Sequence, residues 1–183
     1  MKELGQEGVK VLIPESTRVA EPTKTPSEAV AQMLLEDFFL YEGGMDEDGL
    51  IATTFASHIA RLQELIRIAN KMGRQAVLVG RSLAKYTGIA KQLGLIKMKG
   101  ARAVRSPNAV RKVLKEVSGG ARENYLLIVT GHQGEPGGAV LTRMANGELY
   151  DIGKRDTVVF SAGGRYPTRS TGPSATFSRP SSG

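Results

Sequence analysis

The sequence predicts an α/β fold, a three-layer arrangement in which a parallel sheet carries helices on both faces. Three observations predict it. Short runs are apolar at almost every position, as in Tyr125-Leu126-Leu127-Ile128-Val129, which suits strands buried on both sides. Segments with helical periodicity stand between those runs. The order reads β-α-β-α-β-α-α-β-α-β, and parallel strands need such crossover connections. No internal repeat interrupts the pattern.

Val9-Lys10-Val11-Leu12-Ile13 is the first apolar run, read as a strand that ends at Pro14-Glu15-Ser16-Thr17. Thr25-Pro26-Ser27-Glu28 then opens a helix, with Thr25 as N-cap, Pro26 at the first helical position and Glu28 closing a capping box. That helix runs to Tyr41 and stops at Gly43-Gly44. A strand over residues 50–55 follows. Ser57 is the expected cap of a helix that points Ile59, Leu62, Ile66, Ala69 and Met72 inward, leaves Arg61, Glu64, Arg67 and Lys71 outside, and ends at Gly73. Residues 76–79 are a strand turning at Gly80-Arg81-Ser82, and the next helix runs to Leu93 and Gly94. Ser106-Pro107 opens a helix with Val110, Val113, Leu114 and Val117 on one face, closed by Gly119-Gly120. After the strand at residues 125–129 comes a glycine-rich turn, a short helix over residues 139–145 ending at Asn146-Gly147, and a last strand over residues 157–161.

A chain of 183 residues is one ordinary domain, here residues 1–162, followed by a tail. From residue 163 to 183 only Gly, Pro, Ser, Thr, Arg and a few others remain, without a period, so that stretch is expected to be disordered or non-native. The absence of cysteine excludes a disulfide framework, a thiolate zinc site and a cysteine nucleophile, and fits a reducing cytoplasm. No apolar run reaches the roughly 20 residues that span a bilayer, and the first residues are too polar for a signal peptide, so no membrane partner is expected. The formal net charge of +7 suits a polyanion, although the tail supplies three of the arginines.

Ligands of open parallel sheets gather at the carboxyl ends of the strands. Here those ends carry Glu15, then Phe55, Ser57 and His58, then Arg81 and Ser82, and finally His132, Gln133, Gly134 and Glu135 inside the glycine-rich turn. Ser57 and His58 lie at a helix start, where free N–H groups favour phosphate, though a bare cap is the plainer reading. Arg81 beside Ser82 offers a guanidinium that grips phosphate through two N–H groups. The turn at residues 131–138 crowds three hydrogen-bonding side chains among glycines that permit close backbone approach. Glu15 has the chemistry of an acid/base or an orienting carboxylate, or of a simple turn cap. Two histidines far apart in sequence, with no His-x-His and no Walker A motif, leave no metal-ligand set and no complete catalytic apparatus.

At these same segments the chain resembles the β-CASP domain of metallo-β-lactamase-fold ribonucleases, in particular the archaeal and bacterial ribonuclease J branch. The resemblance rests on Leu12-Ile13-Pro14-Glu15-Ser16-Thr17, Thr25-Pro26-Ser27-Glu28, Ala52-Thr53-Thr54-Phe55-Ala56-Ser57-His58-Ile59, Val79-Gly80-Arg81-Ser82, Thr130-Gly131-His132-Gln133-Gly134-Glu135-Pro136, Arg143-Met144-Ala145-Asn146-Gly147 and Asp156-Thr157-Val158-Val159-Phe160-Ser161, in the family's order. It implies a Rossmann-like domain inserted into a metallo-β-lactamase domain, with single-stranded RNA passing between them to a two-zinc centre. It further implies 5′-3′ exonuclease activity, in some members with internal cleavage. Glu15 matches an acidic motif that supports catalysis, and the segments of Phe55, Ser57, Arg81, His132, Gln133 and Glu135 match surfaces that face the cleft. The family's His-x-His-x-Asp-His motif does not occur in this sequence.

The expectation is therefore an RNA-positioning domain that binds no cofactor by itself and relies on zinc in the complete enzyme. Its partners would be single-stranded RNA, the metallo-β-lactamase domain and, through an uncovered apolar face, a second copy as a homodimer. A stand-alone RNA-binding or interaction module and a non-functional gene fragment are the rival readings.

Overall fold

Strands form in this chain where apolar side chains are buried on both faces at once. The structure, a computed structural model, describes residues 2–11, 13, 19–20, 22, 26–41, 49–120, 122–131 and 138–161. Five strands, β1 (Gly49–Thr53), β2 (Gln75–Val79), β3 (Ala101–Val104), β4 (Tyr125–Val129) and β5 (Asp156–Phe160), make one sheet in the order β3-β2-β4-β1-β5. Every pairing is parallel. The central strands explain the apolar runs: β1 is buried at all five positions, β2 and β4 at four of five. The edge strands β3 and β5 are only partly covered.

Side chains alternate between two cores. Leu50, Ala52, Ala76, Leu78, Leu126 and Ile128 pack beneath α3 (Ile59–Lys71), α4 (Arg81–Gln92) and the buried Leu35 and Phe39 of α2 (Glu28–Tyr41). Ile51, Val77, Val79, Leu127 and Val129 pack beneath α5 (Pro107–Ser118) and α6 (Val140–Ala145). The division follows from handedness. The crossovers β1→β2 and β2→β3 step one way along the sheet, while β3→β4 and β4→β5 step back. Crossovers of one hand must then place α3 and α4 on one face and α5 and α6 on the other. Each fully buried Leu or Ile stabilises this sandwich by about 1.5–3 kcal/mol.

Several local expectations shift. Residues 9–11 and 13, read as a strand, are not in one: Val9, Val11 and Ile13 are 53%, 72% and 89% exposed. An apolar run becomes a strand only with a ladder partner, and none of the described strands pairs with it. The polar segment before it forms instead a short helix, α1 (Lys2–Glu7). The cap of α2 moves two residues on: Ser27 Oγ accepts from Val30 N at 3.4 Å, while Glu28 turns to other partners described below. β3 was not expected, because Ala101-Arg102-Ala103-Val104 is short, half-covered and carries a charge. The strand read over residues 50–55 closes at Thr53; Thr54 still gives its N–H to Val129 O of β4 at 3.4 Å, and the chain turns after it at Phe55. The α5 reading holds in full: Ser106 Oγ accepts from Ala109 N at 3.2 Å, Pro107 occupies the first turn, and the four predicted apolar residues are buried. The expected disordered tail at 163–183 lies outside the described residues.

Candidate functional site at the carboxyl edge of the sheet

All five strands being parallel, their carboxyl ends open on one edge. The connection leaving β2 goes to α4 on one face, and that leaving its neighbour β4 goes to α6 on the other. Such divergence leaves a crevice between neighbouring strands, the usual ligand position in open α/β sheets.

Gly80 ends β2 with φ 125°, its N–H donating to Val104 O at 2.9 Å. It is also the N-cap residue of α4, so the first turn of that helix has no side-chain cap. Arg81 and Ser82 are the first helical residues and both are exposed; Ser82 is thus inside the turn rather than capping it. On the neighbouring strand, Gly131 stands two residues past the end of β4 with φ 117°. A Cβ there would meet Ala139 Cβ at 2.9 Å and Leu141 Cβ at 3.0 Å, and Leu141 N donates to Thr130 O at 3.0 Å. The segment that leaves at Gly131 therefore returns against it at Ala139. His132, Gln133, Gly134 and Glu135 lie between these points, outside the described residues, as does Glu15.

Beside β4, β1 ends in Thr53, and Thr54 follows it. Both are fully buried, and neither hydroxyl has a hydrogen-bond partner among the described residues. The chain then turns, His58 N donating to Phe55 O at 3.1 Å, and presents Phe55 at 38% exposure and an exposed Ser57. Ser57 does not cap α3. His58 holds the N-cap position and makes no side-chain cap bond. Its Nε2 lies 3.3 Å from Glu28 Oε2.

The residues that fix this corner were not anticipated. Arg61 and Glu64, expected on the solvent side of α3, are buried. Arg61 donates Nε to Glu28 Oε1 at 2.7 Å and Nη2 to Glu28 Oε2 at 2.8 Å, a two-point pairing that ties α3 to α2. Its Nη1 donates to Ser161 Oγ at 2.7 Å and to the Ser161 carbonyl, tying both helices to the end of β5. The Arg61 hydrogen bonds hold the Glu28 carboxyl below the usual carboxylate range, against partial burial, with the charges of Arg61 and His58 helping. No sequence signal marks this cluster, since its members stand 33 and 100 positions apart.

The zinc implied by the resemblance does not fit these residues. Glu28 is already committed to Arg61, His58 leans on Glu28, and no three His, Asp or Glu side chains converge among the described residues. No helix there is long and apolar enough to cross a membrane.

Comparison with known proteins adds to this geometry. The family described as Ribonuclease J, beta-CASP domain matches residues 47–166. The chain is 87% identical over 163 residues to a ribonuclease J of Pyrococcus abyssi, covering 89% of this chain and 36% of that protein. It is 44% identical over 164 residues to a ribonuclease J of Methanocaldococcus jannaschii, covering 88% and 36%, and 37% identical over 162 residues to one of Synechocystis, covering 87% and 23%. The chain thus spans about a third or less of the length of these relatives.

Proposed function

The chain belongs to the ribonuclease J family, matching its beta-CASP domain, and from that premise we propose that its carboxyl edge positions single-stranded RNA for phosphodiester hydrolysis. The observation that carries this reading is the divergence of the connections after the neighbouring strands β2 and β4, with the exposed Arg81 at the uncapped start of α4 and the tight return of the chain from Gly131 to Ala139 at the same edge. A guanidinium and uncapped helix N–H groups suit a phosphate, and the half-exposed Phe55, after β1 on the same edge of the sheet, suits a base. Ser57, Ser82 and residues 132–135 would add polar contacts, and Glu15 would support the reacting centre. The described residues make no zinc site, so the hydrolytic metal would come from a metallo-β-lactamase domain docked against this edge in a cytoplasmic 5′-3′ exoribonuclease with an endonucleolytic mode.

The test uses purified chain and labelled single-stranded RNA with a 5′-monophosphate, with zinc or manganese present. Salt-sensitive binding without cleavage supports the proposal. Cleavage that EDTA abolishes would show that this chain carries a metal centre of its own. Absence of binding would favour an interaction module or a non-functional fragment.

A further inference from the structure

Charge is distributed along this chain very unevenly. Between Glu64 and Glu116 there is no Asp or Glu, yet that stretch holds thirteen of the 25 Lys and Arg residues. The rest of the chain carries twelve cations against all eighteen acids. The stretch is the later part of α3, then β2, α4, β3 and most of α5, which is one end of the sheet. β3 is the open edge strand, with α4 over one face and α5 over the other.

Four of the thirteen are engaged. Arg67 and Lys71 pair with Glu36, Arg102 pairs with Glu116 at 3.0 Å, and Arg74 is buried. The other nine are exposed; Lys112 acts electrostatically on Glu116, and the remaining eight, including Arg81, Lys91, Lys97, Lys99, Arg105 and Lys115, have no carboxylate partner among the described residues. Arg81 and Arg105 lie at the carboxyl edge, where Gly80 N meets Val104 O; Lys97 and Lys99 lie beyond the far end of α4, about 18 Å away by its 12 residues. Between them α4 exposes Tyr86 and Ile89 at 45% and 46%, and its C-cap residue Leu93, at 67%, continues the same helical face. At the far end a groove of about 370 Å³ has Ile66 in its wall and Lys71, Lys97 and Lys99 around it.

We propose that this flank is a second track for single-stranded RNA, continuous with the carboxyl edge and carrying the nucleotides farther from the reacting end. The proposal rests on the reading of the carboxyl edge as an RNA site. Cations that straddle an apolar, aromatic-bearing stripe suit phosphates outside and unpaired bases stacked on Tyr86. A duplex would keep its bases from that stripe, and an acidic peptide would leave it without stacking partners.

The full chain and a Lys91→Glu/Lys97→Glu/Lys99→Glu variant would be titrated with fluorescent RNAs of 5 and 30 nucleotides over a range of salt, with circular dichroism confirming the fold. The variant is expected to bind the 30-mer at least tenfold more weakly, with a log–log salt slope smaller by about 2, since each lost single-strand phosphate contact removes roughly 0.7. Its binding of the 5-mer should not change. Tyr86→Ala should weaken the 30-mer by about tenfold while sparing duplex RNA of equal length. Unchanged 30-mer binding by the triple variant would overturn the flank while leaving the carboxyl edge intact. Failure of the unmodified chain to bind either RNA would overturn the underlying reading instead. Polyglutamate losing affinity in Tyr86→Ala as RNA does would overturn the assignment to RNA.

Discussion

Arg61 shows how one side chain can hold a site without touching a ligand. Its guanidinium meets Glu28 at two points and Ser161 at the end of β5, so the turn carrying Phe55, Ser57 and His58 is tied at its base. Arg61→Ala would strand Glu28 and is expected to cost about 2–3 kcal/mol, measured by urea denaturation. The lowered Glu28 carboxyl contributes stability above its unfolded value, near 4.5, and that contribution fades as pH falls through the folded value. Glu28→Gln should therefore be weaker than the parent at neutral pH, with the difference vanishing in acid. A denaturation midpoint gap that persists at low pH would rule out this linkage. Gly131 is constrained differently: its positive φ and its contact with Ala139 leave no room for a Cβ. Gly131→Ala should cost about 1–3 kcal/mol and weaken RNA binding in the same preparation.

Elements differ in how openly the sequence declares them. α5 is legible because its cap, its proline and its apolar face are all local signals. Ser106→Ala is expected to lower stability by about 1 kcal/mol, read from thermal or urea unfolding. β3 is illegible because an edge strand takes its identity from β2, not from its own four residues. The converse holds at residues 9–13, whose apolar composition resembles a strand but finds no partner among the described strands. Burial of Arg61 and Glu64 escapes periodicity because α2 packs over the side of α3 that would otherwise meet water. α2 is clamped there by Glu36, which meets Arg67 Nη2 at 2.5 Å and Lys71. Hydrogen bonds from Arg67 and then Lys71 lower Glu36 from 4.5 to about 2. The clamp should be intact above about pH 4.5 and lost toward pH 2, so the stability difference between the parent and Glu36→Gln should shrink across that window.

At the scale of the whole molecule the α/β class, the parallel sheet and the places where the chain leaves β1, β2 and β4 are legible, because crossover order and strand-end glycines encode them. Which segments face each other is not, since the strand order depends on pairings across the chain. That order also has a consequence for how the molecule comes into being. β1 and β2 never touch; β4 lies between them. During synthesis from the amino terminus, the two most apolar early strands leave the ribosome with a vacant slot between them, filled only once residues 125–129 emerge. Until then β1 has no neighbour on either side, for β5 comes later still. The nascent chain must therefore carry unpaired, aggregation-prone strand edges from the emergence of β1 until residues 125–129 follow, a long interval in which holding chaperones would have something to grip.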